Sequence, residues 1–424
     1  MDKRANWYEL DNAAKIVPST AKGANTRVFR ITCELKEDVN KEILQRALDE
    51  TIEEYPFFNC VLHRGIFWYY LEDSDLKAVV EEEHTPACMP LYIKGKKALL
   101  YRVNYFKKRI NLEMFHVLAD GTGAFMFFKN LITRYLQIRY NLSEDIKPSD
   151  DFSVEEKNVD AFTDNYSKQK GLKQLNEMRS VKAYQVSGEL DDNLLPHLLE
   201  GTVSASKFLE LAHKYNTTVG VLCVALYIKA VIQGMNRHQR KKHVVVSVPV
   251  NLRQFYKSGT ARNFFGVINI DYDPAKYNGE IDSITDQVAA DFKEKLAPEN
   301  IEKTMNSYSA LEHNLAIKMV PLPIKDFTIG RFDSAAKRGV TTSMSNLGLI
   351  KMPKEVEDYI DRFGAFMTAS SQQVCVCTFM DKMVFGEVSP YKTHKTMLNF
   401  FRCLTEEGLE IELGTNDYDL YEDK

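Results

Sequence analysis

Apolar residues recur along this chain with two periods, near two and near three to four, and their alternation marks out strands and helices. Residues 28–35 form a strand-like run around Val28, Phe29 and Ile31. A helix is expected from about Asn40, because Ile43, Leu44, Leu48, Ile52 and Tyr55 return about one helical turn apart and Pro56 stops it. Residues 61–71 read as a hairpin turning at Arg64-Gly65. Residues 91–117 read as strands separated by lysine-rich turns at 94–97 and 107–109. On the last strand Leu112, Met114 and His116 are expected on one face, with Glu113, Phe115 and Val117 on the other. The turn Ala119-Asp120-Gly121-Thr122-Gly123 follows, then an apolar helix over 124–138.

Between 141 and 181 the chain is polar and charged, which suits a crossing segment with local helix near 168–178. A strand is expected at 183–190, a helix from Ser204, and a largely buried helix over 217–233. A basic loop, 237–243, leads into the β-branched run Val244-Val245-Val246-Ser247-Val248, expected as an inner strand. Further strands are expected at 266–272, 339–345, 363–369, 373–380 and 382–388, with helices over 283–296 and 300–317. Strands and long helices in mixed order place the protein in the α/β (α+β) class. Two lobes are expected, 1–180 and 181–424, each a mixed sheet with flanking helices.

Composition narrows the functional range. The chain has 424 residues, 44 % hydrophobic and 27 % charged, which excludes a disordered or collagen-like protein. Fifty-five Lys plus Arg against 59 Asp plus Glu give a net charge of −4, so electrostatics does not favour nucleic acid as a partner. No apolar run reaches the ~18 residues of a membrane span. The longest candidate, 219–232, is interrupted by Lys229. The first seven residues lack the apolar segment of a signal peptide, so a cytoplasmic location is expected. The seven cysteines include no CxxC pair, and they read as buried, reduced thiols rather than disulfides or metal ligands. Phosphate-binding glycine loops, the His-Glu-x-x-His zinc motif and the Gly-x-Ser-x-Gly elbow are all missing from the sequence.

The segment Phe115-His116-Val117-Leu118-Ala119-Asp120-Gly121 carries the strongest chemical signal. At ordinary residue usage, His-x-x-x-Asp-Gly should occur about 0.03 times by chance in a chain with nine histidines. An imidazole at a loop mouth, partly desolvated, is suited to proton transfer near neutral pH. Asp120 is suited to fixing the turn, through backbone N–H groups or a distant Arg. Gly121 permits a backbone path that a side chain would obstruct. On these residues alone, a core-packed histidine with a turn aspartate is an equal alternative.

The same segment resembles the signature of the CoA-dependent acyltransferase superfamily, which includes chloramphenicol acetyltransferase, peptide-synthetase condensation domains and alcohol acetyltransferases. Pro249-Val250-Asn251-Leu252-Arg253, Ala261-Arg262-Asn263-Phe264-Phe265-Gly266 and Ser345-Asn346-Leu347-Gly348 are similar to second-lobe elements of that group, in its order. The opening Leu10-Asp11-Asn12-Ala13 is similar to the starts of alcohol acetyltransferase-like members. The resemblance implies two chloramphenicol-acetyltransferase-like lobes with an active-site channel between them. It implies His116 as general base, Asp120, Gly121 and Arg253 as loop-orienting residues, and a salt bridge between Asp120 and Arg253. Asn251, Asn263, Ser345 and Asn346 become candidates for binding substrate or oxyanion. Acyl-CoA is the implied co-substrate, with no bound cofactor and no metal. The acceptor is an alcohol or amine, and an acyl carrier protein is the alternative donor. A lapsed binding protein of the same fold is a third reading. Two departures bear on this: Phe115 stands where condensation domains carry a second His, and the Asp-Phe-Gly-Trp-Gly element of plant members is missing. Both point toward the alcohol acetyltransferase-like branch.

Overall fold

The computed structural model describes residues 6–164, 182–312 and 319–416. Its first half supplies β1 (Trp7–Glu9), β2 (Val28–Leu35), α1 (Lys41–Ile52), β3 (Cys60–Arg64), β4 (Tyr69–Asp73), β5 (Glu81–Glu82), β6 (Tyr101–Phe106), β7 (Arg109–Phe115) and α2 (Gly121–Tyr140). The second half begins with β8 (His197–Ser204), α3 (Ala205–Lys214), α4 (Val219–Gly234), β9 (Val244–Asn251) and β10 (Phe265–Tyr272). It continues with α5 (Asp282–Lys295), α6 (Pro298–Glu312), α7 (Leu322–Lys337) and β11 (Thr342–Leu349). It closes with β12 (Ile360–Met367), β13 (Gln373–Phe379), β14 (Lys382–Ser389), α8 (Lys395–Glu406) and β15 (Glu412–Thr415).

One sheet runs β12-β2-β7-β6-β5, a second β10-β9-β11-β13-β14-β8-β15, and a small third β1-β4-β3. The second sheet mixes parallel pairs, β9 with β11 and β11 with β13, with antiparallel neighbours. The result is the mixed α/β architecture with two sheet-rich lobes that the two periods predict. Helix ends follow local chemistry. The Asn40, Asp120, Ser204 and Thr218 side chains each accept an N–H in the first turn of the helix that follows. Helix α2 is apolar on nearly every side and buried within the first lobe, while α4 lies in the core of the second.

Several expectations are corrected. The strand expected at 183–190 is extended chain with isolated bridges from Ala183 to His243 and from Leu190 to Tyr391; the strand is β8 instead. Glu200 and Gly201 disguise β8 in the sequence. Yet Gly201 lies where an added Cβ would stand 2.1 Å from the Phe401 ring, and Glu200 sits 3.3 Å from both Arg109 and Arg362. Residues 91–99 are irregular chain with one turn at 94–95 rather than a strand. Both faces of β7 are covered, so its alternation does not separate inside from outside. Glu113 is buried between Arg30, at 2.7 Å, and Arg102, at 2.5 Å. The helix expected near 168–178 lies outside the described residues. Nor does the chain divide cleanly at 180, because β12 leaves the second half to pair antiparallel with β2 in the first sheet.

The lobes meet along β12. A Cβ on Gly386 of β14 would lie 2.2 Å from the Ala365 carbonyl of β12, and the Cys377 thiol of β13 donates to the Phe363 carbonyl at 3.3 Å. All seven cysteines are free and buried. Among the described residues no single helix is long and apolar enough to cross a membrane.

Candidate active site

The turn after β7 places His116 at the junction of the lobes. Its backbone N–H donates to the Arg27 carbonyl at 3.0 Å, which ties the turn to the residue preceding β2. Arg27 adopts φ +56°, and its guanidinium reaches Asp333 of α7 at 3.1 Å. The half-buried imidazole lies against two aromatic rings, Phe29 from the first lobe at 5.3 Å and Phe265 from the second at 5.6 Å. Desolvation lowers its pKa below the ordinary histidine value of 6.5 and the nearby Arg27 cation pushes the same way, while Asp120 opposes them. The imidazole is therefore neutral at pH 7.

Its Nδ1 faces Oδ1 of Asn263 at 3.0 Å. Among the described residues, Nε2 has no hydrogen-bond partner. Asn263 is buried, and its amide nitrogen donates to Asp11 Oδ2 at 3.0 Å and to the His116 carbonyl at 3.2 Å. Both amide hydrogens are thus engaged. The expectation that Asn263 binds substrate or oxyanion gives way to a structural link with the histidine.

Asp120 uses both oxygens. Oδ1 accepts the Gly123 N–H at 2.9 Å and caps α2, while Oδ2 accepts the Phe264 N–H at 2.7 Å and meets Arg253 Nη1 at 2.8 Å. The Arg253 guanidinium also donates to the carbonyls of Thr260, at 3.0 Å, and Arg262, at 2.6 Å. Asn251 supports it, with Oδ1 accepting both the Arg253 N–H at 3.0 Å and Nη1 at 3.3 Å. The second-lobe loop 253–264 is thereby clamped onto the first turn of α2. Small residues make this approach feasible: a Cβ on Gly123 would stand 1.9 Å from the Ala261 carbonyl.

Ser345 and Asn346 lie on β11. The Asn346 Oδ1 accepts the Gly348 N–H at 2.9 Å, closing a local turn in which Gly348 takes φ +73°. The next residue, Leu347, reaches the start of α2: a Cβ on Gly121 would lie 2.6 Å from its Cδ2. The structure thus gathers His116 with Asn263, and Asp120 with Arg253 and Asn251, into two adjoining hydrogen-bonded groups, and brings the Ser345-Asn346 segment to their edge through the contact of Leu347 with Gly121.

No family model matches the sequence, and no curated protein does. Solved structures do. TRI101 of F. graminearum, in a complex with ethyl coenzyme A, is 11 % identical with a TM-score of 0.66, covering 96 % of this chain and 99 % of that one. This chain has the same fold as TRI101. Polyketide synthase associated protein 5 from Mycobacterium tuberculosis shares this fold at 11 % identity and a TM-score of 0.62, covering 94 % and 96 % of the two chains. The first condensation domain of the CDA synthetase shares it at 12 % identity and 0.57, covering 95 % and 96 %.

Asp11 belongs to the same site, although its residue type alone does not single it out. It is buried beside Asn263, and its Oδ1 accepts the Ala14 N–H at 2.8 Å. Burial pushes its pKa up to about 6, against the pull of Arg262 and of these hydrogen bonds. The available signal is the position of Asp11 in the opening Leu10-Asp11-Asn12-Ala13.

Proposed function

We propose that the protein transfers an acyl group, acetyl in the first instance, from a CoA thioester to a small-molecule alcohol, with an amine as the lesser alternative. The observation that carries this reading is His116: an imidazole kept neutral, held through Nδ1, with Nε2 left unoccupied. In the proposed step Nε2 takes the acceptor proton as the acceptor oxygen bonds to the thioester carbon. The carbonyl electron pair moves onto oxygen, giving a tetrahedral oxyanion. That intermediate collapses, the carbon–sulfur bond breaks, and the thiolate leaves with the proton from His116. Products are the ester and free CoA, with no covalent acyl-enzyme. The Ser345 hydroxyl and the Asn346 Nδ2 are the proposed oxyanion donors, in the role such groups fill in other acyl transfers.

TRI101 of F. graminearum has been solved with coenzyme A and T-2 mycotoxin, and the related TRI3 is described as a trichothecene 15-O-acetyltransferase; both support an alcohol acceptor. A carrier-protein donor is the weaker reading. The position before His116 holds Phe115, which is buried and stacked on Tyr92 at 5.8 Å. Thiol release from acetyl-CoA, measured over a panel of alcohols for wild type and His116→Ala, is the direct test. Equal release by the two proteins removes His116 from the reaction.

A further inference from the structure

A neutral imidazole has one basic nitrogen, and the partner of the other nitrogen decides which it is. For His116 the side-chain partner is Asn263, beside a hydrogen bond to the residue's own backbone carbonyl, and the orientation of Asn263 is settled from its far side. The Asn263 amide nitrogen stands between two groups that only accept, the Asp11 carboxylate at 3.0 Å and the His116 carbonyl at 3.2 Å. Turning the amide over would set oxygen against oxygen at both. Oδ1 is therefore directed at Nδ1, 3.0 Å away, and since an amide oxygen cannot donate, Nδ1 must carry the hydrogen. Asp11 is fixed in turn. Its Oδ1 holds the Ala14 N–H, and its Oδ2 also receives the Asn263 backbone N–H at 3.3 Å. Asp11 and Asn263 are each only 1 % exposed, so water does not compete for these bonds.

We propose that Asp11, acting through Asn263, is a positioning residue that locks His116 in the Nδ1–H tautomer and so makes Nε2 its basic nitrogen. The arrangement follows the carboxylate–imidazole logic of hydrolytic triads, with an amide set between the two groups. The interposed amide matters. A carboxylate touching the ring would favour the imidazolium, whereas a neutral amide oxygen fixes the proton's place while leaving the ring uncharged. The catalytic meaning of Nε2 rests on the acyl-transfer reading; the tautomer does not.

The test is a two-bond proton–nitrogen correlation spectrum of the full chain labelled with ¹⁵N-histidine, above the His116 titration, with His116→Gln to assign the signals. Wild type should show a protonated Nδ1 and a bare Nε2. Asp11→Asn keeps the shape of the side chain but supplies one acceptor oxygen instead of two, and should move His116 toward the Nε2–H form. Asn263→Ala should do the same. Thermal unfolding identifies the variants that remain folded, and in those kcat should fall at least about tenfold with KM little changed. A wild-type spectrum showing Nε2–H overturns the proposal without any variant. So does a folded Asp11→Asn that loses turnover with its tautomer unchanged, since its role would then be merely structural. Wild type with the Nδ1–H form and no turnover of any thioester refutes acyl transfer and leaves the positioning role standing.

Discussion

Arg253 of the second lobe meets Asp120 of the first with 2.8 Å between Nη1 and Oδ2, each side chain 7 % exposed. The same aspartate caps α2 through its other oxygen. Removing either partner leaves a buried charge uncompensated, an effect of about 3–5 kcal/mol. Asp120→Ala and Arg253→Ala should each destabilise by that order in denaturant unfolding. The double variant should lose clearly less than the sum of the two. Asp120→Asn, which keeps an oxygen for the cap, should lose less than Asp120→Ala. Additive losses in the cycle would show that the pair is not coupled.

The pH profile of turnover should report the desolvated imidazole. With its pKa lowered below 6.5, His116 is neutral from that value upward and protonates only on the acid side. Turnover should therefore hold level near pH 7 and fall as pH drops through an inflection below 6.5. His116→Ala should remove about 10²- to 10⁴-fold of the rate and abolish the inflection. An inflection above pH 7 would contradict the desolvated site.

Glycine positions distinguish contact from propensity. Gly123→Ala drives a methyl into the Ala261 carbonyl, a backbone atom that cannot swing aside, and should cost on the order of 2 kcal/mol or more. Gly121→Ala meets the flexible end of Leu347 and should be milder in stability. Gly234, at the end of α4, has nothing within 4 Å of an added Cβ, so Gly234→Ala should be neutral or slightly stabilising. Chemical denaturation of the three variants provides the ranking.

Glu113 makes stability depend on acid. Burial alone would raise its pKa, but Arg30, Arg102 and the Cys88 N–H hold it below the usual 4.5. A depressed folded pKa means that the unfolded chain binds the proton first. The stabilisation is therefore complete above about pH 4.5 and is lost as pH falls through the lower folded value. Glu113→Gln should destabilise at neutral pH by leaving two guanidiniums under-compensated. The variant should also lose less stability than wild type between pH 5 and pH 3, as thermal melts across that range would show.

Local signals carried much of the fold and part of the site. Asn40 and Pro56 bracket a helix, and the β-branched run at Val244 announces β9, because those effects act over a few residues. The turn from His116 to Gly123 was legible for the same reason. What failed was long-range. Glu200 and Gly201 look wrong for a strand until Arg109, Arg362 and the Phe401 ring are placed beside them. Helix α7 turns little apolar surface inward: Leu322 is in the core, but Ile324, Phe327 and Phe332 are exposed and its contacts to the rest include Asp326 and Asp333. The link from Asp11 to Asn263 spans 252 positions, and no periodicity encodes it.

The borrowed strand β12 fixes how the molecule can move. Its edge is hydrogen-bonded to β2 while its flank packs against β13 and β14, so any swing of one lobe away from the other must first peel β12 off one of them. A wide hinge of the clam-shell kind is closed to such a scaffold. Whatever movement the surroundings of His116 allow must come from loops rather than from whole lobes.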